Sequence, residues 1–528
     1  MEKKQVQIWM PLFLSLSMIA GVFIGYKMKD GIPGKSFFYM EKRRPIQEIL
    51  DLIENKYVDQ VNLNSITDTA IQALLAKLDP HSTFIPAADL SAVNDDIKGS
   101  FYGIGIEFEI FDDTLNIINV LKDGPGFKAG LLSGDKLMEA NGIVLAGKKV
   151  AADSIRKILR GERGSSLQMK VLRNAKVLPV EVKRDIIPLT SVDASYMFDS
   201  ESGYIRLNKF SSQTYREFMT ALEELNKAGM KKLVLDLRGN GGGVLEEAVE
   251  IADEFLEGDK LITYTEGKHV PRKEFRCRRQ GQFEKGKLIV LADEGSASAS
   301  EVLLGALQDW DRAVIVGRRS FGKGLVQEQF DLSDRSALRL TIARYYTPLG
   351  RSIQRSYANG EKAYYDEIVK RYTDGDNAVA DSVNVKNKKI YTTPLGKKLY
   401  GGGGITPDYN IASDTGKVDI ALAKVYAKGT VSRFGYQYYL NHRNIVNEYK
   451  EPSLFSKAYQ VTDADWNDFV NIASRDSIRL DTLKPVDKDF LLRSLKASIA
   501  RQLWRNNGYF EVYNESDKTI QKARELLK

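Results

Sequence analysis

The sequence predicts a multidomain protein of the α/β class, and three observations support this prediction. The chain has 528 residues, of which 43% are hydrophobic, so it can bury more than one core. Between residues 203 and 317, short apolar runs typical of buried strands alternate with amphipathic helical stretches. Outside this region the apolar residues mostly follow helical spacing, apart from one strand-rich unit. We therefore expect a layered α/β core with a smaller strand-rich domain and helical segments at both ends.

Composition narrows the classes of function. Lys and Arg number 77 and Asp and Glu 70, which gives a net charge of +7 without a long basic block, so we expect no nucleic-acid partner. The single cysteine, Cys277, excludes a fold held together by internal disulfides. No Cys/His cluster suggests a metal site. We expect neither a metal nor an organic cofactor.

The N-terminus contains an uncharged, largely apolar run from Ile8 to Tyr26, about as long as a membrane-spanning helix. Lys3 and Lys4 precede it, as expected for a cytoplasmic N-terminus, and no small-residue cleavage site follows it. We predict an uncleaved anchor in residues 1–30 that is inserted in an inner membrane, with a removed signal peptide as the alternative. The bulk of the chain is then exported, as in a bacterial periplasm.

Residues 31–98 are predicted to form a helical segment, because apolar residues between Arg44 and Lys98 recur mostly at three- and four-residue steps. The sequence Leu-Asp-Pro-His-Ser-Thr-Phe at residues 78–84 interrupts this pattern. We interpret His81, which lies in this turn, as a structural residue.

Residues 99–185 are predicted to form a compact, strand-rich unit. Tight glycine-containing turns at residues 125–131 and 133–137 separate its short elements. Alternating apolar residues predict strands at 167–172 and 177–182. A glycine-containing loop, residues 102–106, leads into the first alternating run.

Residues 186–414 are predicted to form the α/β core, which contains two turns of chemical interest. The first, Arg-Gly-Asn-Gly-Gly-Gly at residues 238–243, follows a buried strand. The second, Glu-Gly-Ser-Ala-Ser-Ala-Ser-Glu at residues 294–301, joins a strand to a helix. Ser298 and Glu301 have the spacing of a capping box, so Ser298 caps a helix, carries a nucleophile, or does both.

A serine nucleophile needs a base that removes its proton. None of the three histidines lies in a convincing catalytic motif. Lys323 lies between two glycines after a predicted strand, and a buried lysine acts as a base when its pKa falls from about 10.4 toward about 7–8. The alternative is a solvated lysine in a turn.

A nucleotide hydrolase is an alternative interpretation of the same stretch. Residues 317–323 match the phosphate-binding pattern G-x-x-x-x-G-K. However, Gly324 stands where that loop needs a Ser or Thr hydroxyl for the metal, and the acidic strand at residues 232–236 precedes the loop instead of following it. These departures disfavour a P-loop-like NTPase.

The serine block at residues 296–301, together with Phe-Gly-Lys-Gly-Leu-Val-Gln at residues 321–327, resembles the carboxyl-terminal processing protease family, also called tail-specific proteases. The resemblance extends over roughly residues 40 to 410. It implies that Ser298 is the nucleophile, Lys323 the general base and Gln327 the residue that orients the lysine. It also implies an oxyanion hole formed by the backbone N–H groups of Gly241, Gly242 and Ala299.

The same resemblance implies a crotonase-like protease core with an inserted PDZ domain at residues 99–185. PDZ domains bind the C-terminus of a peptide by strand addition, and backbone amides of a glycine-containing loop hold its carboxylate. The residues that match this loop are the following: Tyr102, Gly103, Ile104, Gly105 and Ile106.

Two segments carry no motif. Residues 356–400, within the core, form a charged, Tyr-rich insertion that we expect to be a mobile or helical excursion. Residues 415–528 are predicted as a helical C-terminal extension that packs on the core or mediates self-association as a homo-oligomer.

The expected function is a serine endopeptidase of the C-terminal processing type, with a Ser-Lys(-Gln) mechanism. Its substrates are expected to be exported proteins that the PDZ domain recruits by their exposed C-terminal tails. The competing hypothesis is that the protein is a catalytically silent PDZ adaptor. The sequence does not decide whether the enzyme needs an activating adaptor as a partner. As a hypothesis, the PDZ domain holds Ser298 and Lys323 apart at rest.

Overall fold

The computed structural model describes residues 3–28, 45–374, 389–412 and 419–528. The chain divides into two compact units, residues 1–71 and 72–528. Four parts of the predicted segments lie outside the described residues: 1–2 and 29–44 of the N-terminal region, 375–388 of the insertion and 413–418 at the start of the extension. The predicted domain boundaries stay predictions.

The first helices are amphipathic except for the N-terminal one. They are α1 (Lys3–Met28), α2 (Pro45–Lys56) and α3 (Leu63–Leu75). Within the part of the chain that the structure describes, no helix combines the length and the apolarity that crossing a membrane requires. This finding contradicts the predicted inner-membrane anchor and the membrane-anchored location that was inferred from it.

A strand-rich unit follows, as predicted. Its elements and those that lead into it are β1 (Thr83–Ile85), α4 (Ala87–Lys98), β2 (Ser100–Gly103), β3 (Ile106–Phe111), β4 (Thr114–Val120), α5 (Pro125–Lys128), β5 (Lys136–Ala140), β6 (Ile143–Val144), α6 (Ala152–Leu159), β7 (Ser166–Arg173), β8 (Lys176–Lys183) and β9 (Asp185–Pro188). The main sheet has the order β3-β4-β5-β7-β8, so β3 lies at an edge. Strand β7 buries Leu167, Met169 and Val171, which alternate with exposed residues and pack with α6.

The core alternates strands and helices, which confirms the α/β class. Its elements are β10 (Val192–Met197), β11 (Ser202–Leu207), α7 (Thr214–Lys227), β12 (Lys232–Asp236), α8 (Leu245–Asp253), β13 (Leu261–Glu266), β14 (Lys273–Arg276), β15 (Lys287–Ala292), α9 (Ala299–Asp309), β16 (Val314–Gly317), β17 (Leu325–Asp331), β18 (Ala337–Tyr346), α10 (Glu361–Asp374), β19 (Ile390–Thr392), β20 (Lys398–Tyr400) and β21 (Tyr409–Asn410). Strands β11, β12, β15 and β16 are parallel and adjacent in that order. Residues 233–235 of β12 and 288–291 of β15 are apolar and buried at every position, so both faces of this sheet are covered.

A second, antiparallel sheet positions the lysine segment. It has the order β1-β18-β13-β14, and β17 also pairs with β18. Helix α9 is buried over its whole length between the sheets, which fixes the residues at its N-terminus. The carboxyl ends of β12 and β15 lead directly into the two turns that the sequence singled out.

The C-terminal extension is helical, as predicted. It contains α11 (Ile420–Ala427), α12 (Thr430–Asn441), α13 (Ile445–Glu448), α14 (Pro452–Ala458), α15 (Asp463–Arg475), α16 (Pro485–Asn514) and α17 (Lys518–Leu527). Phe434, Phe455 and Phe469 belong to its own hydrophobic core. Ile520 and Leu527 of α17 instead pack against the parallel sheet, so the extension is joined to the α/β core.

Candidate active site

Ser298 lies at the junction of the parallel sheet and α9. Its backbone has φ 56° and ψ −114°, an unusual conformation for a residue other than glycine. Such conformations cost on the order of 1–3 kcal/mol and persist only where surrounding contacts enforce them. The Ser298 N–H donates to Glu301 Oε2 at 2.9 Å, which agrees with the predicted capping spacing. The serine is therefore held at a partly buried helix start.

Glu301 connects the serine to the lysine segment. This fully buried carboxylate also accepts hydrogen bonds from Lys323 N–H at 2.8 Å, Gly322 N–H at 2.7 Å and the Ser320 hydroxyl at 2.5 Å. Burial raises the pKa of Glu301, and these hydrogen bonds oppose that effect. The amides of Ser298 and Lys323 consequently share one carboxylate oxygen. The sequence suggested only the capping contact of this residue.

Tyr345, on β18, makes a second link between the two motifs. Its hydroxyl lies 3.0 Å from the carbonyl oxygen of Ser298 and 2.7 Å from that of Lys323. The side chain is 2% exposed, so these contacts are shielded from water. The chain segments that carry the serine and the lysine are therefore fixed next to each other by both their amides and their carbonyls.

Lys323 is mostly buried, and Gln327 holds its amine. Lys323 Nζ donates to Gln327 Oε1 at 2.9 Å, and Gln327 Nε2 donates to the carbonyl oxygen of His81 at 2.5 Å. Burial lowers the pKa of Lys323, and the charge of Arg339 lowers it further. Among the described residues, no hydrogen bond joins Lys323 Nζ to Ser298 Oγ. The structure thus brings Lys323 and Gln327, both named from the sequence, into contact.

The turn around His81 supports Gln327 through its backbone. Asp79 Oδ1 accepts from the amides of His81 and Ser82, both at 2.8 Å, and so closes the turn. The His81 ring lies 2.9 Å from the Tyr364 hydroxyl. Burial lowers the pKa of His81 to about 4, with a further contribution from the charge of Lys323. The ring is therefore neutral near neutral pH.

This lowered pKa predicts a pH-dependent loss of stability. Between pH 6.5 and about 4 the unfolded state binds a proton that the folded state does not, so the free energy of unfolding falls as the pH falls through this window. Chemical denaturation at pH 7 and pH 4.5 should show a smaller drop for His81→Asn than for the wild type. Equal drops in the two proteins would contradict this assignment.

The glycine-rich turn after β12 packs directly on the serine. Gly242 has φ +94°, and a Cβ there would lie 2.6 Å from the carbonyl oxygen of Ala297 and 2.9 Å from Ser298 Cβ. The Gly242 N–H donates to Asn240 Oδ1 at 2.9 Å. The Asn240 carbonyl oxygen accepts from Ala297 N–H at 3.0 Å. Asn240, which the sequence did not single out, thereby fastens this turn to the serine block.

The predicted oxyanion donors differ in their present contacts. Within the described residues, the N–H groups of Gly241 and Ala299 have no hydrogen-bond acceptor, whereas the Gly242 N–H is bonded to Asn240. Ala299 is the first residue of α9, so the helix dipole adds to the attraction of its amide for negative charge. A role for Gly242 as a donor would require its bond to Asn240 to open.

The strand-rich unit contains a groove of about 530 Å³ next to the edge strand β3. Gly103, Ile104, Gly105 and Ile106 of the predicted peptide-binding loop line it, whereas Tyr102 does not. Apolar and basic side chains from α6 and its end, and from β9, complete the walls: Leu159, Arg160, Arg156 and Ile187. An edge strand beside an apolar groove can accept an extended peptide by strand addition.

The lysine loop is unsuited to a nucleotide phosphate. In P-loop enzymes, backbone N–H groups around the lysine cradle the phosphates. Here the amides of Gly322 and Lys323 are already bonded to the Glu301 carboxylate, which would repel a phosphate. This geometry argues against the NTPase alternative.

Comparison with known proteins gives three family matches. Residues 201–360 match "Peptidase family S41", residues 103–183 match "PDZ domain", and residues 421–506 match "Family of unknown function (DUF8443)". The third match falls in the C-terminal extension.

Individual relatives agree with these matches. The chain is 34% identical to the "Carboxy-terminal-processing protease" of Bartonella bacilliformis, over 58% of this chain and 71% of that protein. It is 30% identical to a "Probable CtpA-like serine protease" of Staphylococcus aureus, over 73% of this chain and 77% of that protein. A solved structure, the photosystem II D1 C-terminal processing protease, matches with a TM-score of 0.34 and 29% identity, over 58% of this chain and 83% of that one.

Proposed function

Because this chain belongs to peptidase family S41, as a C-terminal processing serine protease with a PDZ domain, we propose that it cleaves peptide bonds by a Ser-Lys mechanism. Ser298 is the nucleophile, Lys323 the general base and Gln327 the positioning residue. The observation that carries this proposal is the placement of Lys323. Burial lowers the pKa of its side-chain amine, and Glu301 binds the backbone amides of both Lys323 and Ser298.

In the first step, neutral Lys323 removes the proton of the Ser298 hydroxyl as its oxygen attacks the substrate carbonyl carbon. The lysine then donates this proton to the leaving amine, and an acyl-enzyme remains on Ser298. A water molecule, deprotonated by the same lysine, hydrolyses the ester and restores the serine. Because Lys323 Nζ is bonded to Gln327 in this structure, the amine must turn toward Ser298 for this chemistry.

The negative oxygen that forms in each step needs preorganised donors. The N–H groups of Gly241 and Ala299 are the best placed for this role, since both lack an acceptor among the described residues. Gly242 contributes by allowing the turn to approach Ser298 closely and, if its bond to Asn240 opens, as a third donor. Removal of one such donor typically costs on the order of 3–4 kcal/mol of transition-state stabilisation.

Substrate recruitment belongs to the groove beside β3. An extended peptide tail adds to this edge strand, and amides in the loop at residues 103–106 hold its terminal carboxylate. The apolar walls favour apolar tail residues. Substrates of this class are proteins with an exposed C-terminal tail.

The experiment is cleavage of an unfolded reporter with an apolar tail by the full-length chain. Two reporters should be compared that are identical except that one ends in a free carboxylate and the other in an amide. We expect both to be cut at the same bonds, with a KM at least about tenfold higher for the amidated reporter, because a charge-assisted hydrogen-bond site loses its anion. Equal KM values would contradict recruitment through the carboxylate, and absence of any cleavage would favour the silent PDZ adaptor.

A further inference from the structure

The glycine-rich turn at residues 238–243 begins at a buried network of charges. Asp236, the last residue of β12, is fully buried and accepts from Arg238 Nε at 2.9 Å, from Arg238 Nη2 at 2.7 Å and from Arg206 Nη1 at 3.0 Å. The Tyr204 hydroxyl also donates to it, at 2.8 Å. Burial alone would raise the pKa of Asp236, but the charges of Arg238 and Arg206 lower it below its usual value. The first residue of the turn is therefore held by an ionised carboxylate.

One carboxylate does not balance two guanidinium groups, and the second partner of Arg238 comes from the C-terminal extension. Arg238 Nη1 donates to Asp517 Oδ2 at 2.7 Å, and the two side chains are 15% and 11% exposed. Arg206 has a longer second contact, 3.7 Å, to Asp193. Because the pair of Arg238 and Asp517 is largely excluded from water, loss of the carboxylate would leave a mostly buried positive charge without its second partner.

The two carboxylate oxygens of Asp517 have separate roles. Oδ1 caps α17, because it accepts from the N–H groups of Thr519 at 2.8 Å and Ile520 at 3.0 Å. Oδ2 binds Arg238. Since Ile520 and Leu527 pack against the parallel sheet, the docking of α17 fixes the carboxylate beside Arg238.

The backbone that follows Arg238 is connected to the turn that carries the nucleophile. The Arg238 carbonyl oxygen accepts from Arg206 Nη2 at 2.9 Å. The next residue, Gly239, donates its N–H to Asp293 Oδ1 at 2.8 Å, and the same oxygen accepts from the Gly295 N–H at 3.0 Å. Gly295 lies in the turn that carries the nucleophile. A shift of Arg238 would therefore change how the two turns lie against each other.

We propose that Asp517 is a positioning residue of the active site: by holding Arg238, it sets the distance between the Gly241 N–H and Ser298. The role rests on the proposed peptidase mechanism, since this amide acts on a substrate only as an oxyanion donor. A misplacement of about 1 Å in an active site can cost on the order of 10²-fold in rate, so a residue that never touches the substrate can control kcat. The C-terminal extension is then part of the catalytic apparatus.

The test is Asp517→Asn, which separates this role from helix capping. Asparagine caps a helix as well as aspartate does, so Oδ1 can still serve α17, but Nδ2 then faces Arg238 as a second donor. For the free-carboxylate reporter we expect kcat to fall about tenfold with KM within about twofold of the wild type, because the oxyanion hole is disturbed and the peptide groove is not. The matched control is Asp419→Asn at the N-cap of α11, where Oδ1 accepts from the Ala421 N–H at 2.7 Å. This variant loses the same charge at a helix N-terminus and should keep the wild-type kcat.

Amide hydrogen exchange reports on the turn without a substrate. The Gly239 and Gly242 amides are hydrogen-bonded to side chains, so their exchange measures how often the turn opens. Both amides should exchange about tenfold faster in Asp517→Asn than in the wild type. In Asp419→Asn they should exchange at the wild-type rate.

A lower kcat together with faster exchange in Asp517→Asn would support the role. An unchanged kcat, unchanged exchange at the turn, or equal losses in Asp419→Asn would overturn it. If the wild type cleaves no reporter, the peptidase proposal fails, and the exchange rates alone decide whether Asp517 holds the turn.

If circular dichroism shows that Asp517→Asn does not fold, exchange in the wild type decides the result. The turn must loosen whenever α17 detaches from the sheet. A Gly242 amide that exchanges at least as fast as the Ile520 amide would therefore support the role. A Gly242 amide that exchanges more slowly would overturn it, because the turn would stay ordered without the helix.

Discussion

Lys323→Ala will lower kcat/KM for the free-carboxylate reporter by at least about 10³-fold, and Ser298→Ala will do the same. General-base catalysis alone contributes about 10²–10⁴-fold, and a nucleophile and base that act as a unit cost far more when either is lost. The double variant should be no less active than either single variant, since the residues act in one step. The measurement is initial-rate cleavage, with circular dichroism to confirm folding. Lys231→Ala, at an exposed lysine paired with Glu201, is the matched control.

The pH profile of the wild type provides the second half of this test. Because only the neutral amine accepts a proton, kcat/KM should rise with pH, along a limb whose midpoint lies below the usual lysine value of about 10.4. Activity that survives Lys323→Ala would contradict the base assignment. His81 would not replace it readily, because its ring is bonded to Tyr364 and its pKa is about 4. A wild-type limb near the unperturbed lysine value would also count against a buried base.

The structure separates residues that a motif can reveal from residues that only packing reveals. Ser298, Lys323 and Gln327 lie in short stretches with unusual glycine and serine content, so a pattern finds them. Tyr345 lies in a strand whose apolar and polar residues alternate. Its sequence context does not distinguish it from other tyrosines in strands. Its hydroxyl gains its role only because β18 brings it between the carbonyls of Ser298 and Lys323.

Glu301 also shows that a sequence motif reveals local contacts of a residue but not its distant ones. The sequence identifies it as the third residue of a capping box, and its bond to the Ser298 amide agrees with that prediction. Its bonds to Gly322 and Lys323 join residues more than 20 positions apart, and local spacing carries no information about them. From sequence alone, a capping motif therefore cannot be distinguished from a residue that also connects the serine and lysine segments.

The spacing of apolar residues predicted the helices and strands better than it predicted how they pack together. The alternating strands of the PDZ region and the helices of the extension follow directly from apolar spacing. The docking of the extension on the α/β core does not follow from apolar spacing. Arg238, the first residue of the glycine-rich turn, pairs with Asp517 at the start of α17 at 2.7 Å, a contact between distant parts of the chain. Apolar content likewise suggested a membrane anchor, whereas no helix in the described part of the chain has both the length and the apolarity of a membrane span.

Gly242→Ala should reduce kcat/KM by about 10²–10³-fold, the effect of disturbing an oxyanion hole. The added Cβ would lie 2.6 Å from the Ala297 carbonyl oxygen and 2.9 Å from the Ala299 nitrogen, closer than real Cβ contacts allow. Because both neighbours are backbone atoms and Gly242 has φ +94°, the turn must move away from Ser298. The free energy of unfolding should also fall, by about 1–3 kcal/mol.

Gly241→Ala is the matched control for this substitution. A Cβ at Gly241 would meet no atom within 4 Å, and the alanine keeps the backbone N–H that the proposed hole uses. Its kcat/KM should remain within about threefold of the wild type, as expected for a change that fits without strain. The comparison uses cleavage rates and chemical denaturation of both variants. Equal losses in the two proteins would show that general disturbance of the turn, and not the close approach at Gly242, limits activity. Wild-type activity in Gly242→Ala would contradict the placement of this turn beside the reacting serine.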